Sequence, residues 1–311
     1  METINKITTS KQTTMYDHLY KMIIGNEEVL SRIIKVVVDE AKYLSFEEIR
    51  RLIKGVHIGD RMVNPHFHLV DKEGFIKDEG VVYYDILCYI DVPQEDGKNI
   101  RVYLNVEIQN DAYPKYSLIT RGDTYLSRIQ TTQWGKEYND QNYDGMKKVY
   151  LIWILPQAAK KRDGQVSICK TDEEKQLEKV ESYDKREQIV IYLDKEHDTS
   201  KKYQEHDEIL TPLVVFLNNI LDYQGKIRIM KEYGFKEIEK EVRDVCDYAN
   251  ILEKEYLNKG IGIGVEKGTQ KKNIEHVRKL MTKLKMTFKE AIQFLDIPED
   301  EVKEIEKYFK L

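Results

Sequence analysis

The chain contains few cysteines and no long apolar run, and these two absences exclude several classes of protein. Its three cysteines, Cys88, Cys169 and Cys246, lie far apart and lack the spacing of zinc ligands, which excludes a disulfide scaffold and a cysteine-ligated zinc domain. No apolar run approaches the roughly 18 residues of a membrane-spanning helix, and the N-terminus is polar rather than signal-like. We therefore expect a cytoplasmic protein with reduced cysteines and no membrane contact.

An excess of basic residues is also lacking. The 55 Asp and Glu residues outnumber the 50 Lys and Arg residues, which gives a net charge of −5 at pH 7. A protein that coats DNA without regard to sequence needs an overall basic surface, so this class is excluded, whereas an enzyme with a local basic groove is compatible. Charged residues at 34% and aromatic residues at 10% indicate a folded chain rather than a disordered one.

Two neighbouring segments alternate in polarity with the period of a β-strand. In residues 101–109 the even-numbered residues from 102 to 108 are apolar, so Glu107 and Gln109 share the opposite face. In residues 81–92 the apolar row again falls on even numbers, and Asp85 lies on the other face. The intervening residues 94–98 are typical of a hairpin turn. The sequence therefore predicts a hairpin with one apolar face and one polar face.

The requirement to bury both apolar rows restricts the register of this hairpin. A two-residue turn at Asp96-Gly97 would pair residues whose numbers sum to 193, and it would expose one row. A loop with an odd number of residues, or a bulge, gives 192 or 194 instead. The first register places Asp85 opposite Glu107, and the second places it opposite Gln109. Either one gathers two carboxylates and an amide with Cβ atoms about 4.5–8 Å apart, an oxygen-rich site suited to a hard divalent cation.

An Asp followed on the next strand by Glu-x-Gln resembles the PD-(D/E)XK nucleases. Within that group, the segment Asn105-Val-Glu-Ile-Gln109 is similar to the Rpn-like branch, the recombination-promoting nucleases or PD-(D/E)XK nuclease family transposases, whose second motif reads Glu-x-Gln. The following helix carries Arg121 and Tyr125, which also resemble this branch. So do the apolar segment 149–155 and a Lys/Glu-rich tail with glycines. The resemblance runs from about residue 15 to the C-terminus.

The resemblance implies a Mg²⁺- or Mn²⁺-dependent endodeoxyribonuclease that hydrolyses phosphodiester bonds of DNA, with a role in transposition or recombination. Asp85 and Glu107 would bind the metal ion, together with the main-chain carbonyl of Ile108. Gln109 would orient the attacking water or the phosphate, and Arg121 would stabilise the developing charge. The alternative is a catalytically weak or inactive nuclease-fold protein that serves as a protein-interaction module.

The order of predicted elements divides the chain in two. Residues 1–205 combine N-terminal helices with strands and are predicted to form the nuclease domain, an α/β domain with a restriction-endonuclease-like mixed sheet flanked by helices. Segment 149–155 is apolar on both faces, which predicts a central strand. Glu40 and Glu47 of the N-terminal helices are candidates for a further acidic ligand. Residues 206–311 contain no strand-like segment and are predicted to form a helical C-terminal region.

Two features of that C-terminal region bear on partners. The glycine-rich segment 260–268 follows a helix and fits neither the dinucleotide pattern nor the P-loop pattern, so we expect a flexible joint between helices. Residues 287–309 are predicted to form two short helices, the first opened by a capping box at Thr287. The second is strongly acidic and would be repelled by the major groove of DNA. These helices therefore favour contact with protein, in a homo-oligomer or with another partner.

Overall fold

A computed structural model describes residues 15–58, 84–111, 113–170 and 184–309. It confirms the predicted class: a six-stranded mixed sheet is flanked by helices and is followed along the chain by a helical region. The strands are β1 (Ile53–Ile58), β2 (Ile86–Pro93), β3 (Asn99–Ile108), β4 (Lys148–Leu155), β5 (Val166–Lys170) and β6 (Arg186–Tyr192).

The described part of the chain forms its helices before, between and after these strands. They are α1 (residues 15–25), α2 (Glu27–Val37), α3 (Phe46–Leu52), α4 (Leu118–Thr131), α5 (Asp207–Leu217), α6 (Tyr223–Glu232), α7 (Glu239–Lys283), α8 (Phe288–Phe294) and α9 (Glu299–Glu306). No helix of the described residues is both long enough and apolar enough to cross a membrane.

The strands are arranged in the order β1-β2-β3-β4-β6-β5. Strands β1, β2 and β3 pair antiparallel, whereas β4 is parallel to both β3 and β6, and β5 pairs antiparallel with β6. Every residue of β4 is buried, which confirms the central position predicted from its apolar sequence. Helix α4 makes the crossover from β3 to its parallel neighbour β4, as parallel strands require.

The β2–β3 hairpin adopts one of the two predicted registers. Ile86 pairs with Val106 and Pro93 pairs with Asn99, so paired residue numbers sum to 192. Five residues separate the strands, and the turn places Gly97 at a φ of +79°, a conformation that favours glycine. Because the loop contains an odd number of residues, both apolar rows lie on the same face of the sheet. There they form a large core with residues of α2 and α5.

The opposite face of the sheet is less polar than the alternation predicted. Leu87, Tyr103 and Trp153 lie on it, and they pack with Tyr125 and Leu126 of α4 in a second apolar core. Period-two patterning reports on one strand at a time, so it did not show that a crossover helix covers this side. Asp85, Glu107 and Gln109 therefore lie beside this second apolar core and not on a face that is polar throughout.

The first compact unit extends beyond the predicted boundary at residue 205 and ends at Cys246. Residues 209–217 of α5 are all buried, and Leu213, Val214 and Phe216 are fully buried in the core that also holds β2 and β3. Ile229 and Met230 of α6 join the same core. These helices therefore belong to the sheet-centred unit, because their side chains complete its core.

The second compact unit comprises Asp247–Leu311 and is helical, with its own small apolar cluster around Val277, Ala291 and Ile305. The two predicted short helices are present, and Thr287 caps α8 in a capping box. The predicted joint at 260–268 is wrong, because α7 continues through all of it. Glycine lowers helix propensity by about 1 kcal/mol per residue without forbidding helical dihedral angles, so it did not end this helix.

Candidate active site

Asp85 and Glu107 lie side by side at the end of the β2–β3 hairpin. Asp85 immediately precedes β2, and its main-chain N–H donates to Glu107 Oε1 at 3.2 Å. The main-chain N–H of Ile108 donates to Asp85 Oδ2 at 2.8 Å, so the Asp85 side chain is bound to the last residue of β3. These two hydrogen bonds hold the carboxyl groups together, as the register of the hairpin predicts.

Glu107 is a carboxyl group largely removed from water, with 2% of the residue exposed. Burial raises its pKa to about 8, and the negative charge of Asp85 adds to the rise. The hydrogen bond from Asp85 N–H, the Asn105 amide and the Arg121 guanidinium oppose the rise without cancelling it. A cation placed against this pair would therefore relieve both the desolvation and the repulsion between the two carboxylates.

The backbone of Ile108 is directed toward the same pair. Gln109 N–H donates to Ile154 O across the parallel β3–β4 ladder at 2.9 Å. Successive residues of a strand direct their polar groups to opposite sides, so the N–H and C=O of Ile108 face β2. The N–H reaches Asp85, and the carbonyl is expected on the same side. This orientation suits the metal-ligand role expected of the Ile108 carbonyl.

Arg121 projects from α4 toward both Glu107 and Gln109. One terminal nitrogen lies 4.0 Å from Glu107 Oε2, and the other donates to Gln109 Oε1 at 3.4 Å. Its Nε–H donates to the Tyr125 hydroxyl at 2.9 Å, and its guanidinium carbon lies 5.3 Å from the centre of the Trp153 ring. The aromatic side chains therefore fix the guanidinium at the edge of the carboxylate pair.

Gln109 is half-buried, and a hydrogen bond to the main chain orients its side-chain amide toward Arg121. Its Nε2 donates to the carbonyl of Asp111 at 2.9 Å, which leaves the side-chain oxygen directed to Arg121. The structure therefore brings together all four residues predicted from the sequence to be catalytic: Asp85, Glu107, Gln109 and Arg121.

Lys21 of α1 is a charged residue of this site that the sequence analysis missed. Its Nζ lies 2.8 Å from Asp85 Oδ1 and 2.6 Å from Asp17 Oδ2. Burial lowers the pKa of Lys21, but the hydrogen bonds to Asp17 and Asp85 outweigh it and raise the pKa above its ordinary value. The i,i+4 spacing of Asp17 and Lys21 is a signal in the sequence, although it does not show that α1 packs against Asp85.

Neither of the suggested additional acidic ligands joins the site. Glu40 accepts a hydrogen bond from the Tyr150 hydroxyl at 2.7 Å and lies 3.5 Å from Lys148, and Tyr150 belongs to the core on the other face of the sheet. Glu47 is exposed in the first turn of α3. Among the described residues of the N-terminal helices, Asp17 lies near Asp85, because both carboxylates contact the ammonium group of Lys21.

The donor set of this site fits Mg²⁺ better than a transition metal. Within the described residues, no three His, Cys, Asp or Glu side chains form a metal-binding group. Mg²⁺ is often bound through one or two carboxylates, with waters and substrate phosphates completing its shell, and this pattern requires no third acidic side chain. Asp85, Glu107 and the Ile108 carbonyl offer hard oxygen donors of this kind.

Comparison with family models, with curated proteins and with solved structures finds no match to this chain.

Proposed function

We propose that this protein is a metal-dependent endonuclease that hydrolyses phosphodiester bonds of DNA. One observation carries the proposal: a buried carboxyl group, Glu107, lies beside a second carboxylate, Asp85, and faces the guanidinium of Arg121. Such a pair binds a divalent cation, and an adjacent guanidinium suits a phosphate oxygen. The resemblance of the Asp and Glu-x-Gln motifs to the Rpn-like nucleases supports the same conclusion.

Asp85, Glu107 and the Ile108 carbonyl would hold Mg²⁺ or Mn²⁺, which supplies Lewis-acid chemistry at the phosphoryl group when bound. Arg121 would donate hydrogen bonds to a phosphate oxygen that gains negative charge during the reaction. Tyr125 holds that guanidinium in place, so little reorganisation is needed when the charge develops. Gln109 would orient the phosphate or a water through its amide, because an amide both donates and accepts.

Under this proposal the cellular role belongs to DNA recombination or transposition, in the cytoplasm, with DNA as the main partner. A second candidate function is a nuclease-fold protein that binds other proteins and cleaves little or nothing. The net charge of −5 and the amide at position 109, where the general motif has an ammonium group, favour this second function. Metal-dependent cleavage separates the two.

The test is cleavage of supercoiled plasmid by the purified protein with Mg²⁺ or Mn²⁺. Wild type should nick the plasmid, and Asp85→Asn should lower the rate by about 100-fold, because the amide keeps the shape of the side chain but loses the charge that binds the cation.

Asp91→Asn is the matched control, because Asp91 lies in β2, which Asp85 immediately precedes, and it also pairs with cations, Lys54 and Arg101. Its side chain is 16% exposed, as is that of Asp85. This variant should cleave at nearly the wild-type rate. An inactive wild type, or equal rates for both variants, would exclude a nuclease function at this site.

A further inference from the structure

We propose that Lys21 is the cationic catalytic group that contacts the scissile phosphate, supplied by α1 rather than by β3. This inference rests on the proposed nuclease function. In the Glu-x-Gln motif, the position two residues after Glu107 carries the neutral amide of Gln109. A phosphodiester group gains negative charge as it is cleaved, and a positioned ammonium stabilises that charge more strongly than an amide does.

The contacts of Lys21 place its ammonium within the site. Its Nζ bridges Asp17 and Asp85 at 2.6 and 2.8 Å, and 18% of its side chain is exposed. An ammonium group has three N–H donors, of which these two carboxylates take two. The third can be donated to a phosphate oxygen that approaches Asp85. Lys21 is therefore both held in place and able to bind substrate.

The ion pair with Asp17 would hold Lys21 in place even if Asp85 were bound to a metal ion. Asp17 precedes Lys21 by one helical turn, so the pair is formed within α1 and does not depend on Asp85. If a divalent cation were bound at Asp85 and weakened the Lys21–Asp85 contact, the ion pair with Asp17 would still keep the ammonium beside the site. Lys21 would therefore be compatible with a bound cation.

The charge balance gives Lys21 a decisive role. With every group ionised, the carboxylates of Asp17, Asp85 and Glu107 exceed the cations Lys21 and Arg121 by one negative charge. Addition of a divalent cation turns this into one net positive charge, which attracts a phosphodiester. Without Lys21 the loaded site would be neutral. Lys21 therefore decides whether the loaded site attracts its anionic substrate.

The experiment compares Lys21→Met with wild type in single-turnover cleavage of a DNA duplex with Mg²⁺. Cleavage should fall by about 100-fold, the order of losing one group that stabilises transition-state charge. The double variant Lys21→Met/Gln109→Lys should regain at least tenfold, because the new ammonium stands two residues after Glu107. Lys42→Met is the matched control, since Lys42 is also on the N-terminal side of the chain and pairs with Asp39, and its rate should be unchanged.

A binding measurement separates contact with phosphate from a purely structural role. In Ca²⁺, the anisotropy of a fluorescent duplex should show about tenfold weaker binding by Lys21→Met than by wild type, which corresponds to about 1.4 kcal/mol. Melting temperatures of all variants check folding.

The outcomes distinguish this inference from the proposed function. If wild type neither cleaves nor binds DNA, the nuclease function fails and this inference fails with it. If wild type cleaves and Lys21→Met cleaves equally fast, only the role of Lys21 is overturned. Loss of cleavage with unchanged DNA binding and no recovery in the double variant would also overturn it, because Lys21 would then act only by supporting Asp85.

Discussion

Replacement of Glu107 by glutamine is expected to stabilise the metal-free protein at alkaline pH and, in the same variant, to abolish cleavage. Stability should increase because the folded state of the wild type must bury a carboxylate with 2% of the residue exposed, beside the second carboxylate of Asp85. Glutamine has nearly the same shape and carries no charge. Cleavage should fall by at least about 10⁴-fold, since the variant loses a metal ligand.

The pH dependence of this gain follows from the pKa of Glu107. Its ordinary value is 4.5, and burial raises the pKa to about 8 in the folded protein. Below pH 4.5 both states hold the proton, so wild type and variant should be similarly stable. As the pH rises from 4.5 to about 8, the unfolded state gives up its proton first, and wild-type stability falls by about 3–5 kcal/mol. Above pH 8 the difference stays constant.

The measurement is thermal unfolding without divalent ions at pH 4 and pH 9. Glu107→Gln should melt several degrees above wild type at pH 9 and close to it at pH 4. Mg²⁺ at pH 9 should raise the melting temperature of wild type but not that of the variant, because binding to the folded state alone stabilises it.

Glu187→Gln is the control that tests whether neutralising any buried carboxylate gives the same result. Glu187 is also 2% exposed, but its Oε2 lies 3.4 Å from the ammonium of Lys148. Loss of that charge should destabilise the protein, because the buried ammonium loses a partner. A lower melting temperature for Glu107→Gln at pH 9 would show that Arg121 already compensates the charge of Glu107, and it would contradict a cation-binding role for this pair.

Removal of Arg121 is expected to lower the cleavage rate by about 10³-fold with little effect on folding. The guanidinium lies at the edge of the carboxylate pair, and arginines that stabilise phosphoryl charge contribute about 10³–10⁵-fold. Arg121→Lys should retain only part of the activity. An ammonium group lacks the planar shape of a guanidinium, which stacks against Trp153 and at the same time donates to Gln109. Single-turnover cleavage of a duplex at saturating protein measures this effect without contributions from product release.

Arg162→Ala is the matched control for Arg121→Ala. Arg162 donates to the Tyr192 hydroxyl at 3.0 Å and lies over the Tyr192 ring, which reproduces the relation of Arg121 to Tyr125. This control should cleave like wild type. If both variants lose cleavage equally, the effect comes from general loss of arginine–tyrosine packing, and Arg121 has no particular role at the phosphate.

The arrangement of Asp85 and Glu107 could be predicted from the sequence because the positions of the apolar residues along the two strands determine how the strands pair. The apolar rows of β2 and β3 had to share a face, and the only registers that satisfy this bring the two carboxyl groups together. The central position of β4 was predicted separately, from a segment that is apolar on both faces. Both predictions use only residues that are close together in the sequence.

The parts that were missed depend on contacts between segments far apart in sequence. Lys21 precedes Asp85 by more than sixty residues, and nothing in α1 alone shows which carboxylate it meets. In the same way, the apolar side chains of α5 could equally have formed a separate helical core. Because these side chains are buried against the sheet, the first compact unit ends at Cys246 and not at residue 205, the predicted end of the domain. Packing partners of helices are set by tertiary shape, which hydrophobic periodicity does not encode.

The position of Trp153 gives this protein an intrinsic optical probe of its own site. The chain has two tryptophans: Trp153 is fully buried and stacks on Tyr125, 5.3 Å from the Arg121 guanidinium, whereas Trp134 is 48% exposed. Indole fluorescence shifts with local charge and solvent contact, so emission from Trp153 reports any movement of that guanidinium. Trp134→Phe would leave Trp153 as the sole emitter. Occupation of the site could then be followed in solution without an attached dye and without any turnover of DNA.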